Sequence, residues 1–230
     1  MFYATAVVPA LGQSTLIFQH SGATDPLTEG FDKALAPGNG YPVINDMGAN
    51  AWVTPGISNL NVFYSYVLTP QQQAESAGAG WTLSADLRIT TTNSYPVFSL
   101  LLDGYGAGYG LDFGSDPNGE QFVDYLGGSA ALGGRVTLAG SNYNNYQIRY
   151  DPSADTLSLW INGEEYASNF STNRAAYLVE VGWGSGYYGA QNAQANWNLV
   201  SLEITPEPSA MALFGLGALI VAARRLHGRH

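Results

Sequence analysis

Six oxygen-bearing side chains lie close together near the middle of the sequence. Within 22 residues fall Asp103, Asp112, Asp116, Asn118, Glu120 and Asp124. Carboxylate and amide oxygens are the hard ligands that Ca²⁺ requires, so Asp112, Asp116 and Asn118 are candidate Ca²⁺ ligands. Their spacing follows no fixed ligand pattern, and Asp116-Pro-Asn-Gly119 also forms an ordinary turn without metal. A Ca²⁺ site and a metal-free turn therefore both stay open.

Paired carboxylates are the second chemistry that the residues offer. Glycoside cleavage uses two carboxyl groups on one face of a sheet, and Glu180 and Glu203 are a candidate pair across a cleft. Glu164 and Glu165 are sequence neighbours, so on a strand they point to opposite faces. His20 is the only histidine outside the C-terminal tail, and we expect it in a loop, held by local hydrogen bonds. No catalytic residue is assigned, and glycoside hydrolysis is kept as the alternative.

Aromatic residues are concentrated in two glycine-rich segments, 103–110 and 182–189. Tyrosine combines an apolar ring face with a hydroxyl group, and glycine allows a ligand to approach the backbone closely. The candidate stacking residues for a saccharide are Tyr105, Tyr109, Trp183, Tyr187 and Tyr188. The candidate hydrogen-bonding partners are Asp103, Asn192 and Asn196. The alternative is that these aromatic residues pack the sheet edges and cap the core.

Composition excludes several functional classes. The chain has 230 residues, 8 basic and 18 acidic side chains, and no cysteine. A net charge of −10 repels phosphate backbones, so nucleic-acid binding is not expected. Without cysteine, neither a disulfide framework nor a thiolate metal site is available. We predict one domain, residues 13–204, that is stabilised by packing alone.

The elements that must position these residues are strands. About a dozen alternating or apolar runs are separated by turn residues, which predicts an all-β, two-sheet antiparallel sandwich. One helix is predicted over residues 69–77, where Thr69 is the cap and Pro70 takes the first helical position. The pair Asn162-Gly163 predicts a tight hairpin turn, because both residues tolerate positive φ.

The segment around this hairpin carries a family resemblance. Residues 146–166 read as a strand, a turn, a second strand, the Asn162-Gly163 turn and a third strand. In the second strand Leu157, Leu159 and Ile161 share one face, opposite Thr156, Ser158 and Trp160. The pattern resembles the concanavalin A-like lectin/glucanase jelly roll in its laminin-G-like branch, and residues 19–31, 81–89 and 197–204 suit the same fold. The glucanase arrangement of acids on a single strand is missing.

The N-terminal segment resembles part of an export signal. Residues 1–12 are apolar and end in small residues, but no basic residue precedes Lys33. We expect the remnant of a signal peptide, with the true start upstream and processing near residues 10–13. The alternative is that residues 5–18 form a first strand.

The C-terminal tail, 205–230, has three parts in order. Pro206, Glu207 and Pro208 precede an apolar run predicted as a transmembrane helix over 209–223, and Arg224 and Arg225 follow it. Fourteen apolar residues span about 21 Å, less than a hydrocarbon core of about 30 Å. The tail resembles the PEP-CTERM sorting signal of Gram-negative bacteria, which implies an exosortase-type membrane protease as partner.

Together these features predict an exported protein without a required cofactor. The resemblance implies a transient inner-membrane stage and then the cell surface or extracellular matrix, with a glycan or exopolysaccharide as partner. A hydrolase and a purely structural envelope protein are the alternatives.

Overall fold

The computed structural model describes residues 14–35, 44–46, 51–57, 60–90, 93–102, 109–127, 130–140, 142–171, 178–185 and 193–205. The strands within these ranges are β1 (Thr15–Ser21), β2 (Asp32–Leu35), β3 (Ile44–Asp46), β4 (Ala51–Ile57), β5 (Leu60–Val67), β6 (Gly80–Ile89), β7 (Asn93–Leu102), β8 (Gly110–Ser115), β9 (Gln121–Gly127), β10 (Ala130–Leu138), β11 (Asn144–Asp151), β12 (Thr156–Ile161), β13 (Glu164–Ser171), β14 (Glu180–Ser185) and β15 (Ala193–Thr205). A 3₁₀ turn, Pro26–Glu29, and one helix, α1 (Pro70–Gly78), complete the described elements.

The strands form two antiparallel sheets, which confirms the predicted sandwich. Sheet A has the order β13-β12-β11-β6-β15-β4, with β1 on β15 and β3 on β4. Sheet B has the order β10-β9-β8-β7-β14-β5, with β2 on β5. The sheets are joined where β4 pairs β5 through Gly56↔Asn61 and Ile57↔Leu60.

The core lies between the two sheets because burial alternates along their strands. In β6 every second residue is buried, including Trp81, Leu83 and Leu87. Tyr64 and Trp183 of sheet B are also fully buried in the same core. Burial of each large apolar side chain contributes about 1.5–3 kcal/mol, so this layer holds the sheets together without a disulfide.

Local signals form the predicted helix and hairpin. Thr69 caps α1 in a capping box, in which its side chain accepts from the Gln72 amide and the Gln72 side chain accepts from the Thr69 amide. Asn162 and Gly163 have φ of 52° and 85°, so both adopt the left-handed region that this turn requires.

His20 lies on β1, and its predicted place in a loop is wrong. Its ring is fully buried and stacks on Trp183, with the centroids 4.6 Å apart. His20 Nδ1 lies 2.6 Å from Glu29 Oε2, while Glu29 Oε1 accepts from the Ser21 amide and the Thr24 hydroxyl. Burial lowers the pKa of His20, so the imidazole is a neutral member of the core.

Candidate functional site

A groove of about 530 Å³ crosses the outer face of sheet A. Its walls come from β6, β11, β12 and β13, and the residues used below are Thr82, Arg149, Ser158, Trp160 and Glu165. Gly80 and Thr205 lie at one end of it. We call this feature the sheet A groove.

The alternation of β12 directs Trp160 into this groove. Leu157, Leu159 and Ile161 are at most 2% exposed and face the core, so Ser158 and Trp160 face outward, as the sequence pattern predicts. The indole Nε1–H donates to Ser158 Oγ at 2.9 Å. This bond fixes the plane of a ring that is only half-buried.

Arg149 lies over the same ring. It pairs with Ser158 across β11 and β12, and Trp160 is its diagonal neighbour on one face, a separation that long side chains bridge. The guanidinium carbon is 3.9 Å from the centroid of the Trp160 ring. Arg149 Nε and Nη2 donate to Gln147 Oε1 at 3.1 and 2.5 Å. Cation–π stacking and two hydrogen bonds thus hold the guanidinium in place.

Carboxylates lie in the groove beside this cation. Glu165 pairs with Trp160 across β12 and β13 and is exposed. Asp151 also lines the groove, and hydrogen bonds from Ser153 lower the pKa of its carboxyl group. The groove therefore offers donors from Arg149 and acceptors from Glu165 beside the Trp160 ring, with a second carboxylate, Asp151, farther along β11 opposite Thr156.

A row of polar residues crosses the outer face of sheet B. Ser99, Asp112, Asp124 and Arg135 are directly paired in that order across β7, β8, β9 and β10. Ser99 Oγ donates to Asp112 Oδ1 at 2.6 Å. Burial raises the pKa of Asp112 to about 6, partly offset by the Ser99 hydrogen bond.

Arg135 holds the far end of this row. Its Nε and Nη2 donate to the two carboxylate oxygens of Asp124 at 2.8 and 2.7 Å. The same guanidinium lies 3.7 Å from the centroid of the Phe122 ring. Phe122, on this outer face, is only 1% exposed, as Asp112 is only 9% exposed. Asp112 and Phe122 are therefore covered, whereas Arg135 stays exposed at the end of the row.

The predicted carboxylate pair Glu180 and Glu203 is not formed. Val181 and Trp183 face the core from β14, so Glu180 points away from it on sheet B. Glu203 lies between the buried Leu202 and Ile204 and points outward from sheet A. The two sheets of a sandwich pack about 10 Å apart, and these carboxylates point away from each other. They lie on opposite outer faces and cannot flank one substrate bond.

Two of the predicted saccharide-binding residues are packed inside the protein, and a third is only half-buried. Trp183 is fully buried and contacts Tyr64 and Trp197, with ring centroids at 4.8 and 5.1 Å. Asn196 is 1% exposed, and its Oδ1 accepts from Gln194 Nε2 at 3.1 Å. Tyr109 packs half-buried against the core. The predicted binding roles of Trp183 and Asn196 are wrong, because neither side chain reaches a surface that a sugar can contact.

The remaining predicted binding residues lie outside the described residues. They are Asp103, Tyr105, Tyr187, Tyr188 and Asn192. Leu102 is the last residue of β7, before the first of their two segments, and Ser185 is the last residue of β14, before the second. Val181 pairs with Leu102 and Ser185 with Phe98, so these ends are separated by four residue pairs, or about 13 Å. Leu102 and Ser185 therefore lie at opposite ends of the paired strands β7 and β14.

The candidate Ca²⁺ ligands are used in other ways. Asp116 Oδ1 accepts from the amides of Asn118 and Glu120, both at 2.9 Å, and Oδ2 accepts from Asn118 Nδ2 at 3.1 Å. Asp112 binds Ser99. Across the described ranges, no group of three or more His, Asp or Glu side chains is arranged to hold a metal ion. The Ca²⁺ site stays a prediction.

Trp160 and Arg149 are not among the binding residues that the sequence predicts. A signal for Trp160 was present, since an outward tryptophan on a strand with three inward aliphatic residues is exposed by geometry. Arg149 gave no comparable signal, because its position over Trp160 depends on the pairing of β11 with β12.

Comparison with known proteins identifies the C-terminal segment. Residues 205–226 match the model of the PEP-CTERM protein-sorting motif. The tail of this chain is a PEP-CTERM sorting signal. Such a signal indicates an exported protein with a membrane-anchored sorting stage. Residues 206–230, with Pro206, Glu207, Pro208, Arg224, Arg225 and the predicted helix, lie outside the described residues. In the part that is described, no helix is long and apolar enough to cross a membrane.

Solved structures share the fold of this chain at low sequence identity. The carbohydrate esterase vb_24B_21 of the Shiga toxin-encoding bacteriophage phi24B is 12% identical, with a TM-score of 0.61, over 84% of this chain and 100% of that one. The CBM2 module of the evolved Dit of Lactobacillus casei BL23 phage J-1 is 16% identical, with a TM-score of 0.58, over 85% and 98%. The Lotus tetragonolobus seed lectin is 14% identical, with a TM-score of 0.57, over 83% and 98%.

These similarities show that the chain has a lectin-like jelly-roll sandwich fold. No curated protein matches the chain.

Proposed function

We propose that this chain is an exported, non-catalytic β-sandwich protein that binds glycan at the cell surface or in the extracellular matrix. The PEP-CTERM signal supports delivery through the inner membrane, with an exosortase-type protease as the processing partner. The observation that carries glycan binding is the sheet A groove, in which a fixed tryptophan lies among charged and hydroxyl side chains.

The chemistry of this groove suits a sugar. An aromatic ring packs against the C–H groups of a pyranose, while nearby polar groups exchange hydrogen bonds with its hydroxyls. Trp160 supplies the ring face opposite Arg149, Arg149 the donors, and Glu165 acceptor oxygens. Thr82 and Ser158 add hydroxyls on the same face. The fold of the lectin and of the CBM2 module supports the proposal as an analogy of architecture.

A glycan array with the purified full chain tests this function. We expect at least one glycan class to bind, and Trp160→Ala to weaken that binding by about tenfold or more, the loss of one good contact surface. Tyr166→Ala is the matched control, because Tyr166 is 45% exposed but does not line the groove. Silence of the wild type on every glycan would leave the structural envelope protein as the better account.

A hydrolytic alternative rests on Asp112 and Asp124. Directly paired residues of antiparallel strands have Cα atoms about 4.5–5.5 Å apart, and a carboxyl group with a pKa of about 6 suits a general acid. Against it, Asp124 is engaged by Arg135 and Asp112 is nearly buried. A reducing-end assay separates the two functions. Product release that Asp112→Asn abolishes would favour the hydrolase.

A further inference from the structure

The charges in the sheet A groove point to the class of glycan. We infer that the groove takes an uncharged sugar polymer and discriminates against polyuronates. This inference rests on the proposed glycan binding and adds its chemical specificity.

The first step is the mixture of charge signs in one small space. Arg149 lies between the strands that carry Thr82 and Ser158, and the exposed Glu165 lies beside its stacking partner Trp160. A sugar carboxylate that approaches Arg149 over the Trp160 ring also approaches Glu165. Hydroxyl groups donate to Glu165 and accept from Arg149 without this repulsion.

The second step is that Arg149 is already held without a carboxylate. Arg135 forms a bidentate pair with Asp124, whereas Arg149 donates to the neutral amide oxygen of Gln147 and stacks on Trp160. Among the described residues no ion pair joins Arg149 to an acid. Its Nη1 edge therefore keeps N–H donors in a fixed direction, as the recognition of a hydroxyl oxygen requires.

The third step is the field of the whole molecule. The chain carries a net charge of −10, and on the outer face of sheet A Glu203 pairs with Thr82, next to Arg149. Long-range repulsion therefore opposes a polyanion before it reaches the single guanidinium of the groove. The net charge of the protein neither attracts nor repels a neutral polymer. The affinity for such a polymer therefore depends only on the Trp160 ring and on the hydrogen bonds of the groove.

Two hexasaccharides of matched length test the inference with the full chain: an unsubstituted glucan and a polyuronate. We expect the neutral oligomer to bind at least about tenfold more tightly than the polyuronate. Its Kd should change less than about twofold between about 0.05 M and 0.5 M salt, because no ion pair is screened.

Variants make the result specific to the groove. Arg149→Gln should weaken the neutral oligomer about tenfold, whereas Arg135→Gln, the same change on sheet B, should leave its Kd unchanged. Thermal melting of each variant shows that it is folded. Binding of the polyuronate alone, lost in Arg149→Gln, would overturn the inference and leave glycan binding intact. If neither oligomer binds, the inference fails, and the glycan array decides whether the proposed function fails with it.

Discussion

Asp112 and Asp124 lie directly opposite each other on β8 and β9, on the outer face of sheet B. Their surroundings differ. Asp112 is 9% exposed and accepts from a hydroxyl, whereas Asp124 accepts two bonds from Arg135. Burial thus favours the neutral form of Asp112, whereas the carboxyl group of Asp124 is paired with a guanidinium.

This difference predicts that the stability of the protein depends on Asp112 as pH changes. Its pKa is about 6 in the folded chain against 3.8 as the ordinary value, so the folded state holds the proton more tightly. The stabilising contribution is complete below about pH 3.8 and is lost as pH rises through about 6. The side chain of Asp112→Asn stays neutral at every pH. The unfolding free energy of this variant, relative to that of the wild type, should therefore be on the order of 2–3 kcal/mol higher at pH 8 than at pH 3.5.

Urea unfolding at the two pH values measures this difference. Ser99→Ala is the informative companion, because removal of the hydroxyl bond should raise the pKa of Asp112 further. An Asp112→Asn variant with the same change in unfolding free energy at both pH values would show that this carboxyl titrates normally.

The two tryptophans Trp160 and Trp183 should separate binding from stability. Trp183 is fully buried in an aromatic cluster, so Trp183→Ala should cost about 3–5 kcal/mol of unfolding free energy through the cavity it leaves. Trp160→Ala should cost less, because its ring is half-buried, but it should remove glycan affinity. Chemical denaturation and glycan titration on both variants measure the two effects. If Trp160→Ala kept its glycan affinity and only lost stability, the binding surface would lie outside the sheet A groove.

The elements that the sequence predicts correctly are those with short, local patterns. The Asn162-Gly163 turn needs only two residues that tolerate positive φ, and the cap of α1 needs only Thr69 and Gln72. The strand β12 displays its two faces in six residues. Each of these patterns is complete within a few positions, so the chain around it could be predicted without any knowledge of its partners.

Long-range pairing explains what could not be predicted. A bulge at Asn198 shifts the register of β15 between Trp197 and Leu199, so the core-facing positions change from Ala195 and Trp197 to Val200 and Leu202. A prediction that side chains alternate between the two faces without interruption assigns the residues on one side of the bulge to the wrong face. The row from Ser99 to Arg135 likewise depends on four strands, and no single stretch of sequence contains its pattern.

The hairpin turn allows a matched glycine comparison. Gly163 has a φ of 85° with open space where a Cβ would lie, and Gly78 at the end of α1 also has open space but no positive φ. Gly163→Ala should therefore cost about 1–2 kcal/mol from backbone strain alone, whereas Gly78→Ala should be neutral or slightly stabilising. Thermal or urea unfolding measures both. Equal effects of the two substitutions would contradict a strained left-handed residue at the turn.

The end of β15 sets where the sorting signal can be cleaved without damage to the sandwich. Ile204 pairs with Trp81 and Thr205 with Gly80, so every pair of this strand precedes Pro206. In a host with the sorting protease we expect a mature C-terminus between Pro206 and Ser209, and unchanged thermal stability compared with a chain that ends at Thr205. Intact-mass spectrometry of the exported protein measures the terminus. A chain that retains Arg225 outside the inner membrane, or a cut before Ile204, would contradict processing at the motif.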